Sequence, residues 1–419
     1  MRNAQWSDGL KRCWILLLGA AVFLPALAHE GHTAASEGAA SASPKAMRKP
    51  RTQLSTGAAF APNGALWVVG LDAEGRLFVQ SRPQAQPLRW SDARVLDTQG
   101  DAIAADGESR PKIAFGPQGY VVITYTQPLA KPYTGMIRML RSADEGKTFS
   151  LPFTVHTDRQ EITHRFETAA FDAHGVLYTT WLDKRDMELA PKVGKKSSYR
   201  GAAVYYNTSH DGGATFGPDT KLADHSCECC RIALARGADG FLRAMWRHVF
   251  EPNVRDHGFA PLAPQSTTSV VRATEDDWHI DACPHHGPGL ASASDGGFHA
   301  TWFGIRQEGG QAVPGVRYGR LHADGSPVAD SVRRLPDERA EHADVAAFGK
   351  KVAVVWRSTD GMTTRIKVWL SADGGQYFQV KTLTQIQGDN DHPRLAQQGE
   401  RLVVVWRTQK EVQVHDIPW

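Results

Sequence analysis

Four of the five cysteines sit in two short segments that also carry imidazoles. One reads His225-Ser226-Cys227-Glu228-Cys229-Cys230 and the other Cys283-Pro284-His285-His286. Soft thiolate sulfur beside borderline imidazole nitrogen suits copper or zinc. His225, Cys227, Cys229, Cys230, Cys283, His285 and His286 are therefore candidate metal ligands, with His342 and His392 as outlying members. The same cysteines also read as two disulfides, with three connectivities open, since an oxidising compartment pairs thiols. A bridge from the 227–230 segment to Cys283 would staple neighbouring units, whereas a vicinal Cys229–Cys230 bridge is strained. A redox-active thiol pair is the third reading.

Other chemistry precedes apolar runs in the same manner. Arg110, Arg165 and Arg394 are candidate anion ligands, because a guanidinium holds an oxyanion by paired hydrogen bonds. Glu167 and Asp183 form the candidate carboxylate pair for acid–base work on a glycosidic bond, at a separation the sequence does not fix. Trp246-Arg247, Trp356-Arg357 and Trp406-Arg407 recur at the ends of apolar runs. They read first as a packing device, with Arg stacked on a neighbouring aromatic.

The elements that must position these groups are short β-rich runs recurring about every 55 residues. A unit is a small-aromatic pair, a Gly turn, an apolar run and a closing aromatic. Ala114-Phe115 leads through Gly119 to Tyr125, and Ala170-Phe171 through Gly175 to Trp181. Later units close on Trp246, Trp302, Trp356 and Trp406. An all-β chain with this period predicts a β-propeller of about seven four-stranded blades, six being the alternative count. A strand near Lys49–Leu54 is expected to complete the last blade. Propeller symmetry would carry the segment before each inner strand to one face, around the channel mouth.

A second repeat supports the fold. Ser142-Ala143-Asp144-Glu145-Gly146-Lys147-Thr148-Phe149 and Ser209-His210-Asp211-Gly212-Gly213-Ala214-Thr215-Phe216 share Ser-x-Asp-x-Gly-x-Thr-Phe. Ser371-Ala372-Asp373-Gly374-Gly375-Gln376-Tyr377-Phe378 differs by Tyr for Thr. This pattern resembles the Asp-box, or bacterial neuraminidase repeat, of the sialidase superfamily. The resemblance implies a sialidase-like propeller, with Asp144, Asp211 and Asp373 in structural turns away from the active-site face. The activity would need an Arg-Ile-Pro segment, three carboxylate-binding arginines, a Tyr–Glu nucleophile pair and an Asp acid/base. No Arg-Ile-Pro occurs, and Ser109-Arg110-Pro111 is the nearest echo. Glu167 fits the place of the activating carboxylate, but Tyr377 lies in an Asp-box turn and Tyr318 in a middle strand. The resemblance covers nearly the whole chain as fold and leaves the catalytic pattern incomplete.

Residues 1–28 read as a secretion signal: Lys11-Arg12, an apolar run from Cys13 to Leu24, then Ala26-Leu27-Ala28. Residues 29–50 read as a flexible tether and 51–419 as one propeller. Cleavage after Ala28 would expose His29 near His32, a weak candidate for Cu(II). A periplasmic or secreted protein without a membrane span is expected. The net charge of +3 gives no support for nucleic acid as a partner. Three functions stay open. The first is a propeller with a copper or zinc site at its mouth, taking a small ion. The second is a glycoside hydrolase on an acidic sugar gripped by Arg110 and Arg394. The third is a non-catalytic, disulfide-stapled scaffold for a glycan or protein.

Overall fold

A computed structural model describes residues 53–86, 89–193, 196–262, 269–282 and 284–419. The chain divides after Ala42, and all described residues belong to the unit Ser43–Trp419. The predicted secretion signal 1–28, the predicted tether 29–50 and Cys283 lie outside the described residues.

Among the described residues, besides one two-stranded hairpin, there are seven large antiparallel sheets, six with four strands and the last with three. Their first strands are Gly57–Phe60, Lys112–Phe115, His164–Phe171, Ala233–Arg236, Gly289–Ser292, Ala340–Phe348 and Arg394–Gln398. Each of these contacts the next in a cycle, and the last returns to the first. The sheets are therefore the blades of a closed seven-bladed propeller, numbered 1 to 7 in that order. A short helix, Arg185–Leu189, and a small hairpin interrupt blade 3. Among the described residues no helix is long and apolar enough to cross a membrane.

Position within the blade explains the strand sequences. A second strand is covered by neighbouring blades on both faces, so it reads as a continuous buried run rather than an alternation. Leu177–Asp183 is buried at every residue, and Lys351–Thr359 along Val352–Trp356. The outer strand Gln379–Gln387 meets water and is mostly polar. The repeating aromatic belongs to the second strand: Tyr125, Trp181, Trp246, Trp356 and Trp406 are essentially inaccessible. Each buried indole is worth roughly 5 kcal/mol of transfer free energy as an upper figure. Most indole N–H groups are satisfied, Trp181 by Asp183, Trp302 by Asp276 and Trp356 by Asp337.

Blade 7 ends after its third strand, Val412–Asp416, and no described strand completes it. Of the expected Lys49–Leu54 strand, the described residues Gln53 and Leu54 are not in a strand. Closure between blades 7 and 1 rests on a shared core of Phe60, Leu66, Val68 and Phe78 with Ala396, Val403 and Val405. Arg401 and Arg407 add hydrogen bonds to the carbonyls of Gly64 and Leu71.

The three Ser-x-Asp-x-Gly turns join third and fourth strands in blades 2, 3 and 6. In each, Ser Oγ bonds the Asp carboxylate and accepts from the Gly amide, as Ser142 does with Asp144 and Gly146. Antiparallel order puts these turns at the face opposite the segments that lead into the first strands. Gly375 shows why Gly is required: its φ is +88°, and a Cβ would lie 2.0 Å from Tyr318 Oη.

Candidate functional site

The lead-in segments meet at the mouth. Glu108, just before the first strand of blade 2, is buried and gathers groups from three other blades. Arg231 of blade 4 donates to both carboxylate oxygens at 2.9 Å. His342 of blade 6 places Nδ1 3.1 Å from Glu108 Oε1, and His392 of blade 7 places Nδ1 3.7 Å from the same atom. The three imidazoles of His286, His342 and His392 form a stack, with centroids 4.3 Å and 3.3 Å apart. Burial alone would raise the Glu108 carboxyl, but Arg231 and His342 outweigh it and hold it well below the usual range. Burial pushes both His342 and His392 down, disfavouring their charged forms.

Local backbone makes this convergence. Phe166 and His342 inside the first strands of blades 3 and 6, His225 at the end of blade 3's fourth strand, and His285 just before blade 5 all have φ between +51° and +58°. Non-Gly residues adopt this region at a cost, of order 1–3 kcal/mol each. Gly287 permits the closest approach: a Cβ there would lie 2.3 Å from Arg231 Cγ and 2.7 Å from Glu108 Oε2.

The sulfurs form a second group. Cys227, Cys229 and Cys230 are buried, with Sγ–Sγ distances of 3.7 Å for 227–229 and 3.8 Å for 229–230. Neither distance is a disulfide bond. Their surroundings are apolar, including Phe166, Leu182, Trp246 and Leu262. Hydrogen bonding with Cys227 pushes the Cys230 thiol well up, and burial adds to it. Cys230 precedes Arg231, so one loop carries both the sulfur group and the guanidinium that grips Glu108.

Among the described residues, then, the mouth holds two separate donor sets, Cys227–Cys229–Cys230 and Glu108–His342–His392. His286 joins the imidazoles, stacked on His342. His225 packs on Tyr199 at 4.6 Å and accepts from the Arg200 amide. His285 is partly buried in the blade 5 lead-in. Glu108 was not singled out in the sequence. Its signal was only its place, two residues before Arg110 in a lead-in.

The remaining candidates have defined partners. Arg110 makes two hydrogen bonds to Asp391, at 2.9 and 3.1 Å, and two more to the carbonyls of Thr56 and Gly107. Its guanidinium serves the fold at the 7–1–2 junction. Arg165 stacks over Phe166 and is partly exposed. Arg394 is 3.6 Å from Asp344, beyond hydrogen-bond reach. Burial, with the charges of Arg231 and Arg110, pushes it down to about 9, still a cation at neutral pH. Glu167 bonds Thr126 and pairs with Lys112 at 3.3 Å. Asp183 instead bonds Trp181 and Arg185, so the two carboxylates belong to different networks. Among the Trp-Arg pairs, Arg247 reaches the Phe303 carbonyl of blade 5 and stacks on Trp278, and Arg407 reaches blade 1. These two tie blades together.

No protein-family model matches the chain, and no curated protein matches it in sequence. Solved structures do share its fold. A polysaccharide lyase described as PL25 ulvan lyase, bound to -[GlcA(1-4)Rha3S]-, superposes with TM-score 0.55 at 11% identity, over 86% of this chain and 91% of that one. The polysaccharide lyase Uly1 superposes with TM-score 0.53 at 9% identity, over 88% and 90%. At such identity the likeness shows the propeller fold alone.

Proposed function

We propose that this propeller binds a copper or zinc ion at its mouth through the thiolates of Cys227, Cys229 and Cys230. The sulfur spacing carries the reading. Sulfurs about 2.3 Å from a shared ion at tetrahedral angles stand about 3.8 Å apart. The buried sulfurs here are 3.7 and 3.8 Å apart. One short loop supplies all three, so little chain entropy is lost on binding. Cys283 and His285, in the next blade's lead-in, are the sequence's candidates for a fourth ligand. Export, expected from the leader, would place the site where unmetallated thiols oxidise. An ion held there is handled or stored, and its ligands are kept from pairing. The test is copper and zinc content of the full protein purified under mild conditions, against Cys227→Ser/Cys229→Ser/Cys230→Ser. Loss of bound metal in the variant supports the reading, and equal content in both sinks it.

A second reading is favoured by Arg394. It is a largely buried cation without a hydrogen-bonded counterion, beside two more guanidiniums. An acidic sugar at the mouth would supply the missing anion. Two proteins that share the fold are polysaccharide lyases, one of them bound to -[GlcA(1-4)Rha3S]-. Binding of uronate oligosaccharides, measured for the wild type and Arg394→Met, tests it. Affinity unchanged by the substitution removes the reading.

A further inference from the structure

Granted the proposed sulfur site, on which this rests, we infer that its ion is Cu(I), held by the thiolates of Cys227, Cys229 and Cys230 and by no fourth ligand. Sulfur spacing does not choose the ion. With bonds of about 2.3 Å, sulfurs stand about 3.8 Å apart around a tetrahedral ion and about 4.0 Å apart around a trigonal one. Ligand number does choose. Zinc in a closed site takes four ligands. Cu(I) is a soft ion with a filled d shell, and three sulfurs satisfy it.

The turn at Glu228-Cys229 gathers the three sulfurs within 4.8 Å of one another. Among the described residues no His, Asp, Glu or further Cys joins them, and His285, a candidate fourth ligand, is not a member of the group. What packs around them instead is hydrocarbon, from Phe166, Leu182, Ile232 and Trp246. The three cysteines are at most 5% exposed. Such a wall offers no donor and keeps solvent from the ion.

Two ties hold the turn in this shape. The Cys227 amide donates to the Arg247 carbonyl at 2.9 Å, and Glu228, the residue between the cysteines, pairs with Lys184 of blade 3. Little chain order is then left to impose on binding.

The charges call for thiolate. Arg247 is buried, and its guanidinium gives its hydrogen bonds to the carbonyls of Arg255, His286 and Phe303. No carboxylate among the described residues pairs with it, and its charge acts on Cys230. Arg165 acts on Cys229, though it is shared with Asp106 and Glu167. A buried cation without a counter-charge is costly, and a copper trithiolate, net negative, supplies one. The thiol protons leave as Cu(I) enters, and no electron is transferred.

The experiment is X-ray absorption at the copper edge. The full protein is loaded with one equivalent of Cu(I), anaerobically and with its thiols reduced, and is then challenged with excess Zn(II). One copper per chain in a shell of three sulfurs, kept against zinc, is expected. That copper should be lost in Cys227→Ser/Cys229→Ser/Cys230→Ser. The coordination shell is read on the wild type, so it decides the matter even where the variant misfolds. A fourth ligand in the copper shell, or zinc taken up in preference to copper, overturns the inference and leaves the sulfur site standing. A chain that takes up neither ion overturns both.

Discussion

Arg231 Nη1 lies 2.9 Å from each carboxylate oxygen of Glu108, joining blade 4 to blade 2 across the propeller mouth. The pair is buried, with side chains only 6% and 2% exposed. Its energetic meaning is asymmetric. Desolvation offsets much of the attraction, but removing one partner leaves a buried charge alone.

Arg231→Met is therefore expected to destabilise the protein by about 3–5 kcal/mol, read from the midpoint of denaturant unfolding. The double variant Arg231→Met/Glu108→Gln should recover part of the loss. A single variant of wild-type stability would show that the pair is not buried as described.

The buried indoles give a second expectation. Trp356 is inaccessible and bonds Asp337, so Trp356→Ala should cost about 3–5 kcal/mol. Met362, 77% exposed at a loop tip, is the control. Met362→Ala should stay within about 0.5 kcal/mol. Equal effects would contradict the blade packing.

Adjacent glycines in one Asp-box separate two costs. Gly374 and Gly375 both have positive φ, at +82° and +88°. A Cβ at Gly374 meets nothing, whereas at Gly375 it would run into Tyr318. Gly374→Ala should cost about 1–2 kcal/mol from backbone strain. Gly375→Ala should cost clearly more or abolish soluble expression. The reverse order would show that the turn is built differently.

How much of this was legible in sequence depends on what each feature rests on. The blades were, because apolar runs carrying a large aromatic recur about every 55 residues, from Tyr125 to Trp406. The Asp-boxes were, because positive φ and Asp–amide bonding demand particular residues. The third-strand ending of blade 7 was legible too, but its junction with blade 1 was not. That junction uses side chains such as Arg407 reaching over more than 300 residues to Leu71. Propeller order brings Glu108, Arg231, His342 and His392, from four blades, into contact. It could not show that His286 stacks on His342, or that the sulfurs sit among Phe166, Leu182 and Trp246. Glu108 carried no motif, and only the partners converging on it single it out.

Acid should weaken the fold through buried histidines. His299 is pushed down to about 4 by burial, with Arg320 adding to it. It is neutral in the folded state where the unfolded chain, near 6.5, takes up a proton. The group contributes nothing above that pH. Stability then falls as pH drops from about 6.5 towards 4, by roughly 3 kcal/mol at most. His299→Gln should flatten that slope in unfolding free energy measured across pH 4–7. An unchanged slope would assign the acid sensitivity elsewhere.

A metal ion on the sulfurs of Cys227, Cys229 and Cys230 is the proposal on which the function of this propeller turns. The copper and zinc content per chain of the full protein, isolated without chelators, decides it. A stoichiometric amount of one ion, lost in Cys227→Ser/Cys229→Ser/Cys230→Ser while the fold is kept, is the result expected. A metal-free wild type that takes up neither ion when offered it with its thiols reduced would mean that these sulfurs hold no metal.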